Sequence, residues 1–213
     1  MKKTIALLLL AALCLCFLPG CASLDTTGLL EAAPGLIERA AALNEIYYGA
    51  GIPYDEGGTP IGNYYPADRD YLRAQGFSTI DELKEKTETV FSADYCQAIY
   101  SSTLSGFAAE GSGYIYARYS SSQPKDEDLR DENETILVSS TAENKLAHIL
   151  SIDYDYSSLR LGEGGRDYAT VLLSVTTQLA ADEDHPAGPY TVTEEMAIKF
   201  VYENGWRIDS ATY

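Results

Sequence analysis

Acid–base chemistry in this 213-residue chain would have to run through two histidines, His148 and His185. His148 stands in an alternating run, residues 147–156, on the same side as Leu150 and Ile152, and Tyr154 beside it could complete an acid–base pair inside a cavity. One histidine without a carboxylate fixed by spacing is more simply a hydrogen-bonded or edge residue. His185 lies in Asp182-Glu183-Asp184-His185-Pro186, which reads as a solvated loop. Cys96 sits on an apolar helical stripe, where a buried thiol keeps a high pKa and stays inert as a nucleophile. Ser122-Gln123-Pro124-Lys125 has the Ser-x-x-Lys spacing of acylating serines, but Pro124 breaks the helical turn that this chemistry needs, and no Lys-Thr-Gly accompanies it. Asp126-Glu127-Asp128 lacks the glycine and the closing bidentate Glu of a calcium loop. Asp153 and Asp155, two apart, share the outer face of a strand and read as solvated. These residues predict no catalytic centre, no metal and no cofactor.

Cys21 offers chemistry of another kind. Lys2 and Lys3 precede a Leu- and Ala-rich run, residues 5–17, that is shorter than the roughly 20 apolar residues a membrane span needs. Leu18-Pro19-Gly20-Cys21 then resembles the lipobox of bacterial lipoproteins, with an aliphatic residue three before the cysteine and a small one directly before it. The resemblance implies a signal peptide at 1–20, a lipidated Cys21 opening a tether at 21–33, and one domain at 34–213. The implied location is extracytoplasmic, lipid-anchored to a membrane. Cleavage removes two lysines and no acid, which takes the formal charge from −17 to −19. So acidic a surface repels nucleic acid and anionic headgroups, which leaves basic envelope proteins, cations or a small ligand as partners. Cys14 and Cys16 leave with the signal, so Cys96 remains as the sole thiol and no internal disulfide can form. A tether from 22 to 28 reaches about 25 Å at ~3.5 Å per residue.

The elements behind the tether follow from periodicity. Pro34 in a first turn predicts a helix with Leu36, Ile37, Ala40, Leu43 and Tyr47 on one face, ending near Gly49 and Gly51. From there to Gly76 the chain is rich in Gly, Pro and Tyr and reads as a long ordered loop. Thr79 and Glu82 form a capping box for a second helix, and Ser92 caps a third that carries Tyr95, Cys96, Ile99, Tyr100, Thr103 and Leu104. After Gly113 the period becomes 2, which predicts strands at 114–119, 135–139, 147–156, 168–179 and 192–202, and Asn204-Gly205 turns the chain into a last strand with Trp206 and Ile208. Helices followed by an antiparallel sheet make an α+β fold, with the helices covering one face of a curved sheet. Between the strands, residues 120–134 hold six acids and read as a solvated loop.

The terminal Asn204-Gly205-Trp206-Arg207-Ile208-Asp209, with three helices and long strands before it, resembles the nuclear transport factor 2-like (SnoaL-like) cone fold. That likeness implies a cone lined by His148, Tyr154, Tyr202 and Trp206. The stretch from Tyr64-Tyr65 through Tyr71 to Phe77-Ser78-Thr79-Ile80-Asp81-Glu82-Leu83 is similar to IseA-type inhibitors of cell-wall DL-endopeptidases. Tyrosine, present 17 times, suits pockets and interfaces, and Tyr54, Tyr64, Tyr65 and Tyr71 concentrate in a loop that needs few of them for packing. The sequence therefore predicts a non-catalytic, membrane-tethered binding module. Its alternatives are an inhibitor of a wall hydrolase, or a small cavity enzyme of isomerase, dehydratase or hydrolase type that uses His148.

Overall fold

A computed structural model describes residues 24–105, 107–109, 113–115, 117–121 and 135–213. Cys21, the Ser122-to-Lys125 motif and the acidic run that follows it lie outside these residues.

The first helix, α1 (Leu29–Tyr47), starts five residues ahead of the expected Pro34. Gly28, at φ +75°, turns the chain in, and Leu29 and Ala33 are fully buried. Burying those two side chains, each apolar group worth on the order of 1 kcal/mol or more, offsets the hydrogen bond that Pro34 cannot donate inside the helix. The domain accordingly reaches back past residue 34: Leu24 N–H already donates to Gly165 O at 3.4 Å.

The Tyr-rich stretch after α1 contains two short elements instead of a plain loop. β1 (Tyr64–Pro66) pairs with a strand some seventy residues later, and α2 (Arg69–Gln75) is capped by Asp68, whose carboxylate accepts from Asp70 N at 2.8 Å and Tyr71 N at 3.0 Å. Gly76, at φ +73°, ends α2. The capping box of Thr79 and Glu82 opens α3 (Ile80–Glu88), and Ser92 caps α4 (Ala93–Thr103).

The strands divide among separate sheets. β2 (Phe107–Ala109) and β3 (Gly113–Ile115) form a hairpin; β4 (Tyr119–Ser121) and β5 (Ile136–Ser139) join β1 in the antiparallel order β1-β5-β4. The single strand expected at 114–119 is broken where Arg118 N–H turns to Thr103 O at 2.8 Å. The main sheet is β6 (Ile149–Gly164), β7 (Ala169–Leu179), β8 (Tyr190–Tyr202) and β9 (Trp206–Ile208), antiparallel and in sequence order. Asn204, at φ +56°, and Gly205, at φ +137°, form the tight β8–β9 turn, the positive-φ pair that such two-residue hairpins select. The molecule is of the α+β class.

Alternation on β7 buries Ala169, Val171, Leu173 and Val175, opposite Ile198 and Phe200 of β8. α1 contacts both edge strands, β6 and β9. Phe91 bridges to Ile208, with Ser92 N–H donating to Ile208 O at 2.8 Å and Ile208 N–H to Val90 O at 2.9 Å, so the end of α3 is tied to the sheet. β6 carries three register shifts, at 149/151, 155/160 and 161/164. Each inserts extra residues that bend and twist the strand.

Candidate functional site

The first of those bulges decides what the sheet presents. Leu150 is the extra residue between Ile149 and Ser151, so the side-chain alternation changes phase there. Beyond it, residues directly opposite one another make three rows on the inner face: Tyr154–Val175–Glu194, Ile152–Thr177–Val192 and Ile149–Leu179–Tyr190. Consecutive rows lie about 7 Å apart, two residues of strand. Helical cover thins out here: Val175 is buried, while Val192 is 38% exposed.

At the β6 end of these rows stands the C-terminal half of α1. Ala41, Asn44 and Glu45 face Leu146, Ile149 and Ile152, and with Leu150, Ser151, Tyr154 and Tyr213 they line an open cavity of about 220 Å³. Its wall is fixed by hydrogen bonds. Asn44 Nδ2 donates to Thr212 Oγ1 at 2.8 Å, and Tyr154 Oη donates to the Thr212 carbonyl at 2.6 Å. Thr212 is fully buried, and Tyr213 packs on Tyr48 with ring centroids 5.4 Å apart. Asn44 is only 3% exposed, and its Oδ1 has no hydrogen-bond partner among the described residues. A buried amide oxygen left alone costs on the order of 1–3 kcal/mol. Burial pushes the Tyr154 hydroxyl up to about 12, which keeps it a neutral donor.

A larger recess, of about 460 Å³, opens between the end of α3, α4 and the β8–β9 turn. Burial pushes the Cys96 thiol at its floor up to about 11, consistent with the expected inert thiol. Its charged groups are engaged with the protein: Arg207 Nε donates to Glu88 O at 2.8 Å, and Glu203 Oε2 accepts from Ala93 N at 3.2 Å.

Of the four residues expected to line one cavity, only Tyr154 does. His148 is exposed in the turn before β6, because the bulge at Leu150 puts it out of phase with Ile152, and its main-chain carbonyl accepts from Ala180 N at 2.8 Å. Tyr202 is 59% exposed at the far end of β8, and it meets Trp206 edge-on at 5.3 Å. Trp206 is buried on β9, away from the cavity. The loop tyrosines separate as well. Tyr54 and Tyr65 stack at 5.0 Å, but Tyr64 Oη donates to Ala117 O at 2.9 Å, and Tyr71 packs on the core with its hydroxyl pKa raised by burial. His185 stacks on Tyr190 at 3.7 Å, and Asp182, held below its ordinary value first by the Tyr190 hydroxyl, closes that loop on itself. Among the described residues no His, Cys, Asp and Glu cluster could hold a metal, and no helix is long and apolar enough to cross a membrane.

The sequence reading missed Asn44 and Glu45. Asn44 falls four residues after Ala40 and three before Tyr47, on the buried stripe of α1, and a polar residue at that position was the available signal.

Buried phenols give the fold a definite alkaline limit. Burial raises the hydroxyl pKa of Tyr47, Tyr95, Tyr100 and Tyr154, so the folded chain holds protons that the unfolded chain releases above about pH 10. The stability these groups give is complete below pH 10 and is lost as pH rises, Tyr154 itself titrating near 12 in the folded state. Urea titrations should show constant stability from pH 7 to 8, a first fall from about pH 9, where the unfolded chain releases the Cys96 proton that the folded chain keeps up to about 11, and a further fall of about 1.4 kcal/mol per proton per pH unit above 10. Tyr154→Phe should reduce that slope.

Comparisons with protein-family models, with curated proteins and with solved structures return no match.

Proposed function

We propose that this chain is a lipid-anchored, extracytoplasmic binding module whose binding site is the cavity between α1 and the start of β6. The observation that carries the reading is the cavity itself, in which Ala41, Leu146, Ile149 and Ile152 surround a few polar side chains, Asn44, Glu45 and Tyr154 among them. Mostly apolar walls around a small number of placed polar groups are how small-molecule sites are built. The cone-like arrangement of the nuclear transport factor 2-like fold belongs to the same proposal. It is supported by α1 touching both edge strands and by the bulges that bend β6. Reading the chain as an enzyme through His148 lacks that support, since His148 lies outside the cavity.

Leu24, the first described residue, stands at the end of the sheet away from the cavity. Leu24 meets Gly165, just past the end of β6, and only Ala22 and Ser23 separate it from Cys21, a reach of about 10 Å. Along β7, from Ala169 opposite Gly164 to Thr177 opposite Ile152, the sheet runs for about 27 Å. A lipidated Cys21 therefore holds one end of the sheet at the membrane and points the cavity outward.

Photocrosslinking in intact cells tests the reading. A photoreactive residue in place of Leu150, which is 51% exposed and lines the cavity, should capture a discrete species that is lost when Ala41→Trp, on the helix side of the lining, fills the cavity. The same group in place of Ile61, 59% exposed and outside the lining, is the control. Equal capture at both positions, or capture indifferent to Ala41→Trp, rejects the cavity as the site.

A further inference from the structure

We propose that the open edge of β8 takes an extended basic segment of another protein, which adds to the main sheet as a further strand. This surface is separate from the cavity: it lies across β7 from β6, and the inference stands whether or not the cavity binds. β9 covers only part of the edge, pairing with Phe200, Val201 and Tyr202. Asp209 N–H then donates to Lys199 O at 2.8 Å, and Lys199 N–H donates to Ser210 Oγ at 3.1 Å. Beyond that the chain leaves β8, because Thr212 is held against Asn44 and Tyr154 on the β6 side. Successive residues of a strand turn their N–H and C=O groups to opposite sides, so the outward set that includes Lys199 continues back through Ala197, Glu195, Thr193 and Thr191. The phase is confirmed on β7, where Ser174 N–H turns to Ser158 Oγ on the β6 side; Leu173 and Val175 therefore face β8 and pair with Met196 and Glu194. Among the described residues, Thr191, Thr193, Glu195 and Ala197 have no main-chain hydrogen bond on the outward side. They leave a row of open donors and acceptors about 20 Å long, the template on which a strand adds.

The two edges of the sheet differ. β6 carries three register shifts, the kind of irregularity that spoils an edge for pairing, whereas β8 runs from Tyr190 to Phe200 against β7 with none and holds no proline or glycine. Its inner face offers Val192, which is 38% exposed, then Glu194 and Met196 at every second residue. Glu194 is exposed opposite Val175, with no ion-pair partner among the described residues, and β7 carries no charge from Ala169 to Leu179. Glu195, on the outer face, is paired with Arg160. An added strand is therefore matched by a Lys or Arg beside Glu194, with apolar side chains two residues to either side, beside Val192 and Met196. A second copy of the chain lacks that match. Two β8 edges paired about their midpoint set Glu194 directly opposite Glu194, a like-charge pair between chains of formal charge −17.

The full chain in micelles of an uncharged detergent, mixed with the end-blocked peptide Thr-Val-Thr-Lys-Thr-Val-Thr and followed by NMR hydrogen exchange, tests this. In the free chain the amides of Thr191, Thr193, Glu195 and Ala197 should exchange at least about tenfold faster than those of Val192, Glu194 and Met196, which the β7 ladder holds. Saturating peptide should slow the first set about tenfold and leave the second unchanged. The same peptide with Glu in place of Lys should bind about tenfold more weakly. Methylating the nitrogens of the two threonines beside the lysine removes the donors that face β8 and should abolish binding, a control that leaves the protein untouched. Glu194→Lys, at an exposed position, should reverse the preference towards the Glu peptide. Equal binding of the methylated peptide overturns strand addition. Equal binding of the Glu peptide, or a preference unmoved by Glu194→Lys, overturns the basic class. Slow exchange of the outward amides in the free chain means that the edge is already covered, by a second copy where dilution restores fast exchange, and overturns the proposal, as does failure of the Lys peptide to bind.

Discussion

Replacing Cys21 with Ser should move the protein from the membrane pellet to the soluble fraction without changing its unfolding transition. Membrane affinity in the proposed lipoprotein comes from the acyl chains on that one residue, at about 0.8 kcal/mol for every buried methylene, and several chains hold where one binds only marginally. Nothing else in the mature sequence compensates. Its charge, taken from −17 to −19 by loss of Lys2 and Lys3, gives no attraction to anionic headgroups, and no helix among the described residues is long and apolar enough to insert. The fold should be indifferent, because the core among the described residues begins after Cys21, with Leu24 and Leu29. Fractionation of cells carrying the two forms, with a melting curve of each, gives the answer. A Cys21→Ser protein that stays in the pellet after a carbonate wash rejects the lipid anchor.

The parts of the fold that sequence shows are those in which local signals act alone. The Thr79–Glu82 capping box, the Ser92 cap and the alternation of β7 each lie within a dozen residues, and each element appears where its signal stands. The start of α1 was not legible because Pro34 is a local signal for a first turn, whereas Leu29 and Ala33 are held in the helix by burial against distant parts of the chain. β1 escaped for a related reason. Tyr64 and Tyr65 favour a strand, but a run of two ended by Pro66 is too short to show a period, and it is strand because β5 lies alongside.

The site suffered more, since a single extra residue in a strand is invisible to periodicity. Read without the bulge at Leu150, alternation groups His148 and Leu150 with Ile152; with it, His148 leaves the inner face and the row of Ile152 and Tyr154 turns to Asn44. Tyr202 shows the other limit: its phase on β8 agrees with the buried Ile198 and Phe200, but the strand runs beyond its cover and leaves it exposed. Phase gives the face of a sheet, and the extent of what packs on that face decides burial.

Arg118→Met should destabilise the domain by about 3 kcal/mol, one of the largest effects open to a residue that touches no ligand. Arg118 is only 9% exposed. Its Nη2 donates to Gly49 O at 2.6 Å, its Nη1 to Glu143 O at 2.7 Å, and its Nε to Tyr119 Oη at 3.2 Å. Tyr119 Oη in turn donates to Ile46 O at 2.6 Å and accepts from Ile52 N at 3.0 Å. The carbonyls of Ile46 and Gly49 lie at and just beyond the end of α1, where the helix leaves acceptors unpaired and negative, and α1 has no basic residue of its own in its last turn. A guanidinium some seventy residues away in sequence supplies the missing donors and ties α1, β4 and the segment before β6 together. Methionine retains much of the aliphatic stem and removes every donor, so the loss measures hydrogen bonds to a charged group more than packing. Because arginine stays charged at any pH in which the fold survives, the deficit should be the same at pH 5 and pH 9. Urea titrations should show a lower midpoint at unchanged slope. Tyr119→Phe should cost less, and the double variant should cost less than the two losses added, since both residues belong to one network. A deficit under about 1 kcal/mol for Arg118→Met would mean that water takes over the carbonyls of Gly49 and Glu143, and that the helix end does not depend on the guanidinium.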